Sequence, residues 1–179
     1  MPQDDRFRVI ESREVYAGRA FRVRDDLVEV RGRRLGRQVV VHPGAAAVLP
    51  VMTGDRALLV RQYRHGPGQR LLEVPAGTLE PGEPPEACAR RELEEEAGYR
   101  AGRLVPLGPF YPTPGISTEI IHHFAAAELV QTQAHPEADE DIEVEVHPMD
   151  EVVRMIADGR IRDGKTIAAV AMWKWRGGG

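Results

Sequence analysis

Between Pro84 and Gly98 the chain carries a segment that has few options besides a helix. Pro84 and Pro85 suit a first turn, acidic residues follow, and Gly98 supplies the stop. Within it Glu92 and Glu96 lie four apart and Glu95 lies three from Glu92, so the three carboxylates share one face. Ala89, Leu93 and Ala97 form a separate apolar stripe that can turn to a core, and Arg91 stands four residues before Glu95, where it can hold that carboxylate. Like charges packed at this spacing repel, and a helix has no intrinsic reason to prefer them. Two arrangements relieve the repulsion. One is an acidic face turned to water. The other is a hard divalent cation, since Mg²⁺ takes carboxylate oxygens, keeps waters and bridges to phosphates. The spacing alone does not choose between them.

The remainder of the chain limits the setting. Its 179 residues suit one domain, or one domain with a small appendage, and are enough to bury a core without staples. A formal charge of −4 lacks the basic footprint of a nucleic-acid binder, and the acidic excess gathers around 80–96 and 137–151. The single cysteine, Cys88, leaves no intrachain disulfide and no Cys-based zinc site. No apolar run approaches the roughly 20 residues that span a bilayer. The opening stretch, Met1 to Arg6, is polar and lacks the order of a signal peptide. The expectation is a cytoplasmic protein with neither a nucleic-acid nor a membrane partner, and a frayed Gly177-Gly178-Gly179 tail.

Short strands are expected at Arg6–Ile10, Phe21–Arg24, Leu27–Val30 and Arg37–Val41, with Arg31–Arg34 as the turn between the last two. After the Pro43-Gly44 break, Ala45–Val51 and Ala57–Val60 read as further strands around Thr53-Gly54-Asp55. Strands at 103–111, 119–129 and Ile142–Val146 follow the acidic helix, with helices near 148–158 and 164–175. The mixed order implies an α/β sandwich. The division expected is a small β-rich unit over 1–43 and a main α/β domain over 44–179. His122 and His123 are adjacent on a strand and point to opposite faces, so no shared metal site is expected of them. Cys88 is expected to pack, and Trp173 and Trp175 to close a core or an interface.

The flanks of the helix make the choice that spacing cannot. Gly77-Thr78-Leu79-Glu80-Pro81-Gly82-Glu83 is followed seven residues later by Arg91-Glu92-Leu93-Glu94-Glu95-Glu96-Ala97-Gly98-Tyr99. This resembles the Nudix box, G-x5-E-x7-R-E-U-x-E-E-x-G-U with U apolar, and every fixed position is matched. The resemblance implies a Nudix α/β/α sandwich with a mixed sheet and a small N-terminal antiparallel β unit. It also implies a loop–helix–loop that binds divalent metal and pyrophosphate. Glu92 and Glu96 would be the principal metal ligands, Glu95 a third, and Glu83 a support from the preceding loop. The backbone carbonyl of Ala76 would be a further ligand, and Arg91 would orient the carboxylates.

Outside the box, Thr113-Pro114-Gly115-Ile116-Ser117-Thr118-Glu119 places a proline 16 residues after Gly98. That spacing resembles the ADP-ribose pyrophosphatase subgroup, as do Val60–Arg64, Leu72–Gly77 and Gly159–Thr166. The subgroup resemblance implies hydrolysis of ADP-ribose to AMP and ribose 5-phosphate, with Mg²⁺ (or Mn²⁺ or another divalent cation) as cofactor. It further implies a homodimer mediated by the N-terminal unit. Pro114-Gly115 is then a substrate-site turn, or an ordinary one. Arg61 and Arg64 contact phosphate or ribose, or form surface ion pairs. Glu73 accepts hydrogen bonds from adenine, or pairs with a nearby arginine. In the acidic stretch 137–143, Glu140 is the expected general base on a closing loop, the alternative being a solvated acidic loop. Two rival readings stand: the same chemistry on GDP-mannose, FAD or another sugar nucleotide, and a non-catalytic Nudix module that senses a nucleotide.

Overall fold

The computed structural model describes residues 6–136 and 141–177. Three strands come first, β1 (Phe7–Ala17), β2 (Arg22–Val30) and β3 (Arg33–Val41), paired antiparallel in the order β1-β2-β3. Arg31 and Gly32 both take positive φ, 51° and 74°, the two-residue turn whose twist suits a hairpin. The strands are longer than the sequence pattern indicates. Asp25-Asp26 reads as an interruption, yet β2 runs straight through it. Asp26 is only 4% exposed, because Ser12 Oγ and Arg24 Nε donate to its carboxylate at 2.6 and 2.9 Å. Gln38 Nε2 donates to Asp25 at 2.8 Å. Burial pushes the Asp26 carboxyl upward, but the bonds from Ser12 and Arg24 outweigh it and the net shift is downward.

The second sheet has seven strands. β4 (Ala45–Met52), β5 (Arg56–Arg64), β8 (Tyr99–Phe110), β9 (Ile121–Gln131) and β10 (Ile142–Pro148) lie in the order β10-β5-β4-β9-β8. Two short strands, β6 (Gln69–Glu73) and β7 (Ala76–Thr78), pair with β5 and β4. The β4–β9 pairing is parallel and the other pairings are antiparallel, so the sheet is mixed as expected. β6 and β7 are five and three residues long and are separated by Val74-Pro75, too brief for a pattern in the sequence to reveal.

Period two along β4 and β5 divides the core. Ala46, Val48, Leu58 and Val60 pack with Cys88, Ala89 and Leu93 of α1 (Pro85–Ala97). Ala45, Ala47, Leu49, Ala57 and Leu59 pack on the other face, against Met149 and Val152 of α2 (Met149–Ala157) and Ala169 and Val170 of α3 (Gly164–Trp175). β4 is buried on both faces, which is why it reads as an unbroken apolar run. The result is the α/β/α sandwich that the sequence implies. No helix among the described residues is long and apolar enough to cross a membrane.

α1 stops where Gly98 enters the left-handed region, φ 70° and ψ 38°, with its N–H turned back to the carbonyls of Leu93 and Glu94. A Cβ there would also meet Ala134 N at 2.9 Å. Gly98→Ala is therefore expected to destabilise the fold by about 1–3 kcal/mol, read as a lower urea midpoint. The Asp26 carboxylate supports a second expectation. Its folded value lies below the ordinary 3.8, so its contribution is whole above that value and fades as pH falls through the lowered one. Asp26→Asn should lower the thermal midpoint near neutral pH, and the gap from wild type should close in acid.

Candidate metal and pyrophosphate site

Two carboxylates of α1 do not face water. Glu92 is 9% and Glu96 2% exposed, on the same side of the helix as Cys88, Ala89, Leu93 and Ala97. The solvated-face arrangement is thereby overturned for these two. Inside, a set of donors meets them. Arg91 Nη1 donates to Glu92 Oε1 at 2.6 Å and to Glu95 Oε2 at 3.0 Å. Its Nε and Nη2 form a fork on Glu83 at 2.9 and 3.0 Å, and Nη2 also reaches the carbonyl of Thr78 at 3.3 Å. Sequence spacing assigned Arg91 a single carboxylate, and the structure gives it three. The Arg91 fork, helped by the Glu80 N–H, holds the Glu83 carboxyl down from 4.5 to about 2. The guanidinium is correspondingly held in its charged form.

Glu96 turns to the strand side, where Ala76 N–H donates to its Oε2 at 3.1 Å. Gly77 comes so close that a Cβ on it would sit 1.8 Å from Glu92 Oε1, so the carboxylate would have to move aside. The glycine is there because backbone and carboxylate must share that space. Cys88 Sγ lies 3.6 and 3.8 Å from the carbonyls of Gly77 and Thr78. Burial first, then the charges of Glu92 and Glu83, push its thiol up to about 12, so it packs and does not attack.

Glu83, Glu92, Glu95, Glu96 and the Ala76 carbonyl would offer hard oxygens, the kind that a hard divalent cation takes. Among the described residues no three acidic, His or Cys side chains close into a ready-made cage. The carboxylates are spread over Arg91 instead. The buried pair and the glycine cradle fit a cation that keeps waters and completes its shell with substrate oxygens.

The other expected residues gather around a second group of charges. Arg64 donates from Nε and Nη2 to Glu73 at 3.0 and 2.8 Å, and Glu73 is 1% exposed. Lys165 Nζ bonds the same Glu73 carboxylate and Asp163 Oδ1, the latter at 3.0 Å. Burial raises the Glu73 carboxyl, but Arg64 and Lys165 outweigh it and keep it below the usual range. In the form described here Glu73 pairs with arginine. Arg61 lies apart from this group, bonded to Glu145 at 2.5 Å. Pro114 and Gly115 occupy an exposed turn. The flanks of that turn bond the end of β3, where Val40 N–H donates to Ile116 O at 2.7 Å and Thr118 N–H to Val40 O at 2.9 Å. Glu140 lies outside the described residues.

His122 and His123 do part to opposite faces. His123 is buried, with Nε2 3.0 Å from the Lys165 carbonyl, and burial lowers its pKa. Trp173 packs against the α2–α3 core, whereas Trp175 is 84% exposed. Lys165, Asp163 and Thr166 were given no role from sequence. The available signal was Asp163 three residues before Thr166 at the start of a helix, an N-cap pattern.

The NUDIX domain profile matches residues 41–170. This chain belongs to the Nudix family. Among its relatives, an ADP-ribose pyrophosphatase of Bacillus subtilis (strain 168) is 37% identical over 166 residues, 91% of this chain and 90% of that one. A methanol dehydrogenase activator of Bacillus methanolicus matches with the same identity and coverage. A GDP-mannose pyrophosphatase of Yersinia enterocolitica is 43% identical over 133 residues, 69% of each chain. The crystal structure of an ADP compounds hydrolase superposes over 100% of both chains with a TM-score of 0.86 at 21% identity, a likeness of fold. The Nudix box thus runs from Gly77 in β7 through the loop and α1 to Gly98 and Tyr99.

Gly77→Ala is expected to displace the Glu92 carboxylate and weaken Mn²⁺ binding about tenfold or more, measured by electron paramagnetic resonance of the free ion. Unchanged binding would mean that Glu92 does not depend on the cradle.

Proposed function

We propose that this Nudix protein hydrolyses the pyrophosphate of ADP-ribose with water to give AMP and ribose 5-phosphate, with Mg²⁺ as the working cation. The observation that carries the reading is the buried Glu92–Glu96 pair beside the Ala76-Gly77 backbone, with Arg91 spread over Glu83, Glu92 and Glu95. The substrate is inferred from the name and coverage of the Bacillus subtilis relative. Glu92, Glu96, Glu95, Glu83 and the Ala76 carbonyl hold the metal. When bound, a divalent cation supplies neutralisation of the pyrophosphate and activation of water. Arg91 keeps the carboxylates apart and oriented. Arg64, fixed in one plane by Glu73, presents its remaining edge to a phosphate or ribose oxygen, and Arg61 and the Pro114-Gly115 turn complete the substrate site. Glu140 takes the proton of the attacking water.

Residues 1–43 form the dimerisation unit of a cytoplasmic homodimer. The apolar side chains Phe7, Val9, Val15 and Tyr16, about half exposed on β1, support that role. A second reading keeps the chemistry and changes the substrate to a sugar nucleotide such as GDP-mannose, in line with the Yersinia enterocolitica relative.

Purified protein with Mg²⁺ would be offered ADP-ribose, GDP-mannose, FAD, NADH and diadenosine polyphosphates. The expected outcome is preferred release of AMP from ADP-ribose. Glu96→Gln should lower turnover at least about 100-fold, more than the loss of a mere supporting partner costs. Preference for GDP-mannose would move the second reading to first place. Tight nucleotide binding with no turnover of any compound would instead favour a sensing module.

A further inference from the structure

Three successive residues tie the entrance of the box to all three layers of the sandwich. Val74 N–H donates to Thr166 Oγ1 on α3 at 2.8 Å, Val48 N–H of the central strand donates to the Pro75 carbonyl at 2.9 Å, and Ala76 N–H donates to Glu96 on α1 at 3.1 Å. The first tie is of a different kind. It uses a side-chain hydroxyl, fully buried, from a residue 92 positions away. That hydroxyl donates its only proton to Asp163 Oδ2 at 2.6 Å, and so faces Val74 as an acceptor. The Thr166 N–H reaches the same Asp163 oxygen at 2.9 Å, while Lys165 Nζ takes the other at 3.0 Å. Capping α3 accounts for the bond from the Thr166 N–H. It does not require a hydroxyl bonded to the strand segment.

We propose that Asp163 and Thr166 are positioning residues for the metal half of the site. By fixing the backbone of Val74 they fix Ala76, whose carbonyl would be a further metal ligand and whose N–H orients Glu96. This rests on the reading of Ala76 and Glu96 as metal ligands. For Thr166 the effect is expected in metal affinity and in kcat, with KM left close to wild type, because its tie touches no part of the substrate.

The test uses the full chain with Mn²⁺ alone and then with ADP-ribose. Thr166→Val should weaken Mn²⁺ binding and lower kcat about 10- to 100-fold, the usual effect of losing an outer partner of a metal ligand. Thr166→Ser, which keeps the hydroxyl, should restore both. Asp163→Asn should show the same losses more weakly. Coupling is reciprocal, so Mg²⁺ should slow amide exchange at Val74 in the unaltered protein. Wild-type Mn²⁺ affinity in either folded variant would overturn the proposal. Should neither variant fold, unchanged exchange at Val74 on adding Mg²⁺ would do the same. Mn²⁺ binding that needs the Thr166 hydroxyl, in a protein that leaves ADP-ribose uncut, would remove the substrate reading and keep the positioning role. Cleavage of ADP-ribose that is indifferent to that hydroxyl would remove the positioning role alone.

Discussion

One guanidinium holds the site together. Arg91 reaches Glu83, Glu92 and Glu95, and without it three carboxylates would stand within a few ångströms of one another with two of them largely withdrawn from water. A buried charge is tolerated only when it is paired and hydrogen-bonded. Arg91 supplies the pairing, and its planar fork supplies the directions. It brings a single positive charge to three carboxylates. The remaining negative charge is what a hard divalent ion would answer.

The neighbouring group shows the opposite balance. Glu73 and Asp163 are met by Arg64 and Lys165, two anions by two cations, and the network is buried at its centre. A charge-balanced, hydrogen-bonded cluster needs nothing from outside, which suits a group that sets geometry. The two clusters meet in the four residues Glu73–Ala76, where one ends and the other begins.

How much of this was legible in the sequence follows from how local each feature is. The box helix could be read because its caps and its carboxylate spacing lie within fifteen residues. The sandwich could be read because β4 and β5 alternate between two cores, and a strand buried on both faces is apolar throughout. Asp26 misled the reading of β2, because Ser12, whose bond does much to make its burial tolerable, comes from another strand. The side on which Glu92 and Glu96 lie was ambiguous for a similar reason. A helix pattern shows which residues share a face, and only the position of Gly77 shows that this face is covered. Lys165 and Thr166 gave no sign of their partners, Glu73 and Val74, which lie some ninety residues earlier.

That separation has a consequence for the order in which the molecule is assembled. The Arg91 cluster is built from residues 83–95 and can form as soon as its own helix does, since short loops close at little entropic cost. The bond from Val74 to Thr166 spans β8, β9, β10 and α2 and forms only when α3 docks. Contacts of such sequence separation are the slow ones in folding. The final geometry of the acidic cluster therefore depends on the docking of α3, far along the chain from the cluster itself.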